Sequence, residues 1–130
     1  MTATLLLAAC SSGNTVTVKP LPTPAATDLS AAAQALRALD QAAGATTETA
    51  DAYDQAFAAL AARCVDQPRE LETEAHSAVA RLKAFGSKTQ THLTVLRAIA
   101  AAIPPAYPRT NCAPYFGIYV DAQQGTGTIH

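Results

Sequence analysis

The residues best placed for chemistry are a glutamate and two histidines. Glu72 and His76 stand four apart, a spacing that brings both side chains to one helix face and offers a two-ligand clip to a cation. His92 belongs to the next expected helix, which can fold back and present it to the first. The set stops short of a metal centre. A di-metal carboxylate bundle needs Glu-x-x-His twice with further glutamates, whereas the residue three after Glu72 is Ala75 and no second motif exists. Glu72, His76 and His92 are therefore weak metal candidates, and no metal cofactor is expected. The plainer reading is a solvated acidic face whose Glu–His pair contributes a few tenths of a kcal/mol.

The remaining candidates are thinner. Glu48, Asp51 and Asp54 form an acidic helix start; they lack the alternating oxygens, glycine and terminal glutamate of a calcium loop. Phe85-Gly86-Ser87-Lys88-Thr89 lacks the spacing of a phosphate-cradling loop and reads as a helix stop followed by a cap. Neither HExxH, GxSxG, CxxC nor GxGxxG occurs, so no catalytic residue is assigned and the chain is read as a non-enzyme. Tyr107, Tyr115, Phe116 and Tyr119 gather four of the seven aromatic residues. Tyrosine-rich clusters serve both as core cover and as recognition surface, and these four are the candidate interaction surface.

Cysteines carry the most specific signal. Leu5 to Cys10 is an apolar stretch ending in small residues before a cysteine, and small residues suit the shallow subsites of export peptidases. Leu7-Ala8-Ala9-Cys10 resembles the lipobox of bacterial lipoproteins. The resemblance implies a signal peptide at 1–9, cleavage before Cys10, a diacylglycerol on its thiol and an acylated new N-terminus. Met1 to Thr4 carry no Lys or Arg, unlike the usual leader, and this implies an N-terminally truncated signal peptide. With Cys10 lipidated, Cys64 and Cys112 are left as an expected disulfide pair, which an oxidising exported compartment preserves. Closing a loop of about 49 residues stabilises a fold by roughly 4 kcal/mol in the chain-entropy model.

The chain has 130 residues with a formal charge of -1, and 49% are hydrophobic, about 31 of them alanine. That supplies one small core. Near-neutral charge and 5% aromatic content exclude a basic or stacking nucleic-acid surface. The longest apolar run after the first ten residues, 98–103, is far short of the roughly 20 residues that span a bilayer.

The elements follow from apolar spacing. Residues 10–27 read as the lipidated cysteine and a Pro/Thr-rich tether, with Pro20, Pro22 and Pro24 favouring extended geometry. A helical domain is expected over 28–130. Asp28 is the expected N-cap of a helix carrying Leu29, Ala32, Leu36, Leu39 and Ala43, stopped by Gly44 in the left-handed conformation. A second helix starts near Thr46 or Thr47 and buries Tyr53, Phe57, Leu60 and Cys64, ending at Gln67-Pro68. The third opens on Pro68 and carries Leu71, Ala75, Ala78, Val79, Leu82 and Phe85, with Gly86 as stop. Ser87 or Thr89 caps a fourth bearing Leu93, Leu96, Ile99, Ala100 and Ile103, halted by Pro104-Pro105.

The sum is an all-α antiparallel four-helix up-and-down bundle with an extended C-terminal segment stapled by the disulfide. The function expected is that of a lipid-anchored protein on the extracytoplasmic face of the cell membrane. Its helical domain would bind an envelope protein or cell-wall partner, and its contact with membrane lipid runs through the anchor. The alternative is a small-molecule or metal carrier using the bundle.

Overall fold

The structure, a computed structural model, describes residues 24–128. Cys10, the leader and the tether up to Thr23 lie outside the described residues. The chain between is all-helical: α1 (Ala26–Ala42), α2 (Ala50–Ala61), α3 (Pro68–Ala84), α4 (His92–Ala102) and α5 (Ala113–Thr128).

Helix α1 begins two residues before Asp28, which sits in its first turn and is not its cap; Ala25 holds the N-cap position without a side-chain bond. Gly44 does close the helix, at φ +68, and Ala45 N–H returns to the Asp40 carbonyl at 2.8 Å. The buried stripe differs from the expected one. Ala32, Ala33, Leu36 and Asp40 face inward while Leu39 is exposed, because a strict four-residue step from Leu36 lands on Asp40.

Helix α2 starts later than expected. Thr49 caps it by accepting from Ala52 N–H at 3.1 Å. Its stripe of Tyr53, Phe57, Leu60 and, just beyond the helix end, Cys64 is fully buried. Ser30 donates to Asp54, Gln34 to the Ala50 carbonyl and to Asp54, and Arg37 to the Glu48 carbonyl, so α2 folds back along α1.

Helix α3 opens on Pro68 in the first turn, where its missing N–H costs nothing, and Glu70 Oε1 accepts the Gln67 N–H at 2.7 Å. Leu71, Ala75, Ala78, Val79 and Leu82 are buried. Phe85 is 63% exposed, since α3 ends at Ala84 and Phe85 caps its C-terminus instead of continuing the apolar face. The cap of α4 is Thr91, not Ser87 or Thr89: Thr91 Oγ1 accepts Thr94 N–H at 3.1 Å and Thr94 Oγ1 accepts Thr91 N–H at 2.9 Å. Leu93, Leu96, Ile99, Ala100 and Ile103 are buried as expected.

The C-terminal segment is not extended. It forms α5, laid chiefly against α3. Cys112, Phe116 and Val120 are buried at four-residue steps, and Asn111 Oδ1 accepts Ala113 N–H at 3.3 Å. Pro114 sits in the first turn, where proline is tolerated. A helix buries this spacing on one face, which an alternating strand cannot do.

Helix α2 packs on α1 and α4, and α3 on α1, α4 and α5. Consecutive helices α2 and α3 therefore lie across the core from each other, unlike the simple up-and-down order. The connection between them is tied down elsewhere. Val65 N–H donates to the Thr110 carbonyl and Thr110 N–H to Arg63, pairing the α2–α3 loop with the α4–α5 loop. The Cys64–Cys112 disulfide, with Cα atoms 5.5 Å apart, crosses the same seam. Arg109 adds two bonds to the Cys64 carbonyl at 2.7 and 3.0 Å.

Candidate functional site

Two buried aspartates, each at the start of a distant helix, organise the polar chemistry. Asp40, on the inward stripe of α1, is 1% exposed. Its carboxylate accepts the His92 backbone N–H at 3.0 and 3.1 Å, so an acid on α1 caps α4 from 52 residues away. Oδ1 also meets His92 Nδ1 at 2.6 Å, and Oδ2 accepts the Tyr53 hydroxyl at 2.5 Å. Every lone-pair direction of a buried carboxylate needs such a partner, and here α2 and α4 supply them.

The chain of bonds continues outward. His92 Nε2 lies 3.1 Å from His76 Nδ1 on α3. The ring centroids are 5.3 Å apart at an interplanar angle of 19°. The centroid separation exceeds the nitrogen separation by 2.2 Å, about two imidazole ring radii, so the rings meet edge to edge in nearly one plane. The lone pair and N–H point at each other instead of converging on a third point, as they would on a cation.

Burial pushes the His92 pKa down, with the Asp40 bond opposing it. The Asp40–His92 contact is thus a neutral imidazole donating to a carboxylate. Donor counting then assigns the tautomers: His92 carries its proton on Nδ1, and His76 donates from its own Nδ1, leaving its Nε2 an acceptor on the exposed edge. Burial, then the bond to Asp40, lifts the Tyr53 hydroxyl to about 12. The arrangement is a polar pin running from a buried carboxylate to a surface imidazole.

Asp66, in the α2–α3 loop, is 8% exposed and accepts the Cys112 N–H at 2.8 Å. This too is a cap supplied from afar, here to the start of α5. Its titratable neighbour is another acid. Burial first, and then hydrogen bonding and charge repulsion from Asp66, push the Glu74 carboxyl up to about 8. Glu74 is therefore protonated near neutrality and donates to Asp66. Its Oε1 is the one buried side-chain nitrogen or oxygen among the described residues without a hydrogen-bond partner. One sulfur from each of Cys64 and Cys112 and an Asp66 oxygen all lie within 4.8 Å of one another.

Of the expected site residues, the structure joins His76 to His92 but leaves Glu72 apart, in a shallow cleft with Asp28, Gln67 and Arg69. The aromatic set is split. Phe116 is 4% exposed and belongs to the core, which removes it from the candidate interaction surface. Tyr115 and Tyr119 pack partly against the core, and the Tyr119 hydroxyl donates to Gln90. Tyr107 remains 59% exposed. Asp54 takes bonds from Ser30 and Gln34, Asp51 sits in the first turn of α2, and Glu48 lies before it.

Asp40, Asp66 and Glu74 are absent from the sequence-derived site. Asp40 alone had a readable signal, a charged residue four after Leu36 on an apolar stripe. Family models, curated proteins and solved structures were compared with the chain, and none matches it.

Proposed function

We propose that this chain is a cell-envelope lipoprotein, anchored through diacylglycerol on Cys10, that holds a small helical binding domain off the membrane on a proline-rich tether. The observation that carries this reading is the Cys64–Cys112 disulfide. It spends two of the three cysteines and leaves the one inside Leu7-Ala8-Ala9-Cys10 for lipid. Structural disulfides also persist in exported proteins, where thiol reductants do not reach them. One acyl chain anchors only reversibly, so a diacylglycerol with a further N-terminal acyl group makes the attachment durable. We read the domain's role as non-catalytic, with Tyr107 on the partner-facing surface. We also read α1–α4 as antiparallel, from the fold-back of α2 along α1.

The test is intact mass of the protein expressed in bacteria behind a complete export leader and extracted in detergent. A chain beginning at Cys10, carrying a diacylglycerol adduct and two hydrogens short, is the expected product. An unmodified chain with three free thiols overturns the reading.

A small-molecule carrier is the second reading, favoured by a cleft of about 340 Å³ lined by Leu82, Phe85, Ser87, Thr89 and Gln90. Such a volume lies at the low end for ligand pockets. A panel of apolar ligands that raises the melting temperature, with the effect lost in Phe85→Ala, supports it.

A further inference from the structure

We propose that reduction of the Cys64–Cys112 disulfide converts its surroundings into a zinc site, with Cys64, Cys112, Asp66 and Glu74 as ligands. The donor atoms of the first three already lie within 4.8 Å of one another, and all three residues are buried. Glu74 stands outside that group of three; its Oε1 is buried without a hydrogen-bond partner beside Asp66, and a side-chain shift toward the sulfurs would bring it in as the fourth donor. Two thiolates and two carboxylates suit a borderline cation that accepts tetrahedral sulfur and oxygen ligands, which describes Zn(II).

The supports of a metal site are also present. The Cys112 N–H holds one Asp66 oxygen at 2.8 Å, which orients the other. Arg109 and the Val65–Thr110 pairing hold the Cys64 backbone independently of the S–S bond. A cleft of about 290 Å³ between α3 and α5, lined by Glu74, Ser77, Ala113 and Phe116, gives a cation a route to the fourth ligand. A carboxyl–carboxylate pair with an unsatisfied oxygen beside a disulfide is costly as packing alone, and a bound cation relieves it.

The redox step balances through a dithiol reductant. Two successive exchanges break the Cys64–Cys112 S–S bond, leave two thiols on the protein and close a disulfide in the reductant. Zinc then binds as the two thiols release their protons. This assignment concerns the folded domain and holds whether or not Cys10 carries lipid.

The experiment uses the full chain in a Cys10→Ser background, which removes the third thiol. It is reduced with a phosphine, which becomes its oxide with oxygen from water, and titrated with Zn(II) and with Co(II) as a spectroscopic stand-in. Native mass spectrometry should show one zinc on the reduced chain and none on the oxidised one. The Co(II) adduct should show thiolate charge-transfer bands with tetrahedral d–d intensity. Glu74→Gln and Asp66→Asn should each weaken zinc binding on the order of 10- to 100-fold.

Absence of zinc on the reduced chain overturns the proposal. Binding that is unchanged in both carboxylate variants also overturns it, because a bare dithiol then suffices. If reduction unfolds the chain, recovery of helical circular dichroism on adding zinc supports the site, and failure to recover overturns it.

Discussion

The Asp40 end and the Asp66 end of this domain solve one problem in two ways. Each buried aspartate accepts a backbone N–H at the start of a helix far along the chain, His92 for α4 and Cys112 for α5. Tertiary capping of this kind satisfies orphan helix donors while stitching distant segments together. The partners then diverge. Asp40 is surrounded by donors, the Tyr53 hydroxyl and the His92 ring, whereas Asp66 is set against a second acid. Covalent reinforcement is found at the second end. Where hydrogen bonds close the seam completely, side chains suffice; where like acids meet, a disulfide and paired loops hold it.

The largest expected effect comes from removing the donor-rich carboxylate. Asp40→Ala strands the Tyr53 hydroxyl, the His92 ring and the His92 N–H in the interior, and breaking a buried polar pair in this way costs about 3–5 kcal/mol. Asp66→Ala should cost less, about 1–3 kcal/mol, because it leaves one backbone N–H unpaired and removes the acid facing Glu74. Urea denaturation of both variants checks the order. Equal losses would erase the distinction between the two ends.

Opening the disulfide comes next. Cys64→Ser with Cys112→Ser should cost roughly 4 kcal/mol or somewhat less, since the bond closes a long loop. Hydrogen exchange should place the damage unevenly, with protection lost first in α5 and the paired loops and retained in α1 and α2. Uniform loss would show that the disulfide stabilises the whole domain and not its own end.

The two ends should also titrate in opposite senses. His92 has its folded-state pKa pushed below the ordinary 6.5 by burial, so its contribution is present above that value and is lost as pH falls. Glu74 is raised from an ordinary 4.5 to about 8, so its contribution is complete below about 4.5 and is lost as pH rises through about 8. Thermal melts should therefore show an acid limb and an alkaline limb. Glu74→Gln, whose amide donates to Asp66 at every pH, should flatten the alkaline limb only. His92→Asn should flatten the acid limb only. A Glu74→Gln profile that keeps its alkaline slope would remove Glu74 as the source.

Much of this fold was legible because apolar spacing fixes helix faces. The stripes of α2 and α4, that of α3 apart from the exposed Phe85, and the stop at Gly44 follow directly from the sequence, and the cysteine arithmetic leads to the disulfide. The polar network was not legible, because its two caps join residues 46 and 52 apart, its Tyr53–Asp40 and His76–His92 bonds join residues 13 and 16 apart, and no local pattern encodes them. His76 and His92 stand out in the sequence as candidates for metal chemistry, yet His92 bonds Asp40 and His76 bonds His92. Helix α5 was missed for the opposite reason. Aromatic and β-branched residues around Gly117 resemble a strand locally, and burial of Cys112, Phe116 and Val120 against α3 overrides that propensity.

That override leaves a small cost within α5, and Gly117 exposes it. A Cβ added at this position meets nothing within 4 Å, so no steric reason demands glycine there. Glycine inside a helix costs about 0.5–1 kcal/mol relative to alanine, mainly through the freedom it loses on folding. Gly117→Ala should stabilise the domain by about that amount and raise its melting temperature by a few degrees. The gain bears on the comparison between the ends because Gly117 shares the α3–α5 cleft with Glu74 and Phe116. A stiffer α5 should slow hydrogen exchange around Cys112 and leave exchange around Asp40 unchanged. If protection rises equally at both, the two ends unfold as one cooperative unit, and their difference is one of titration chemistry alone.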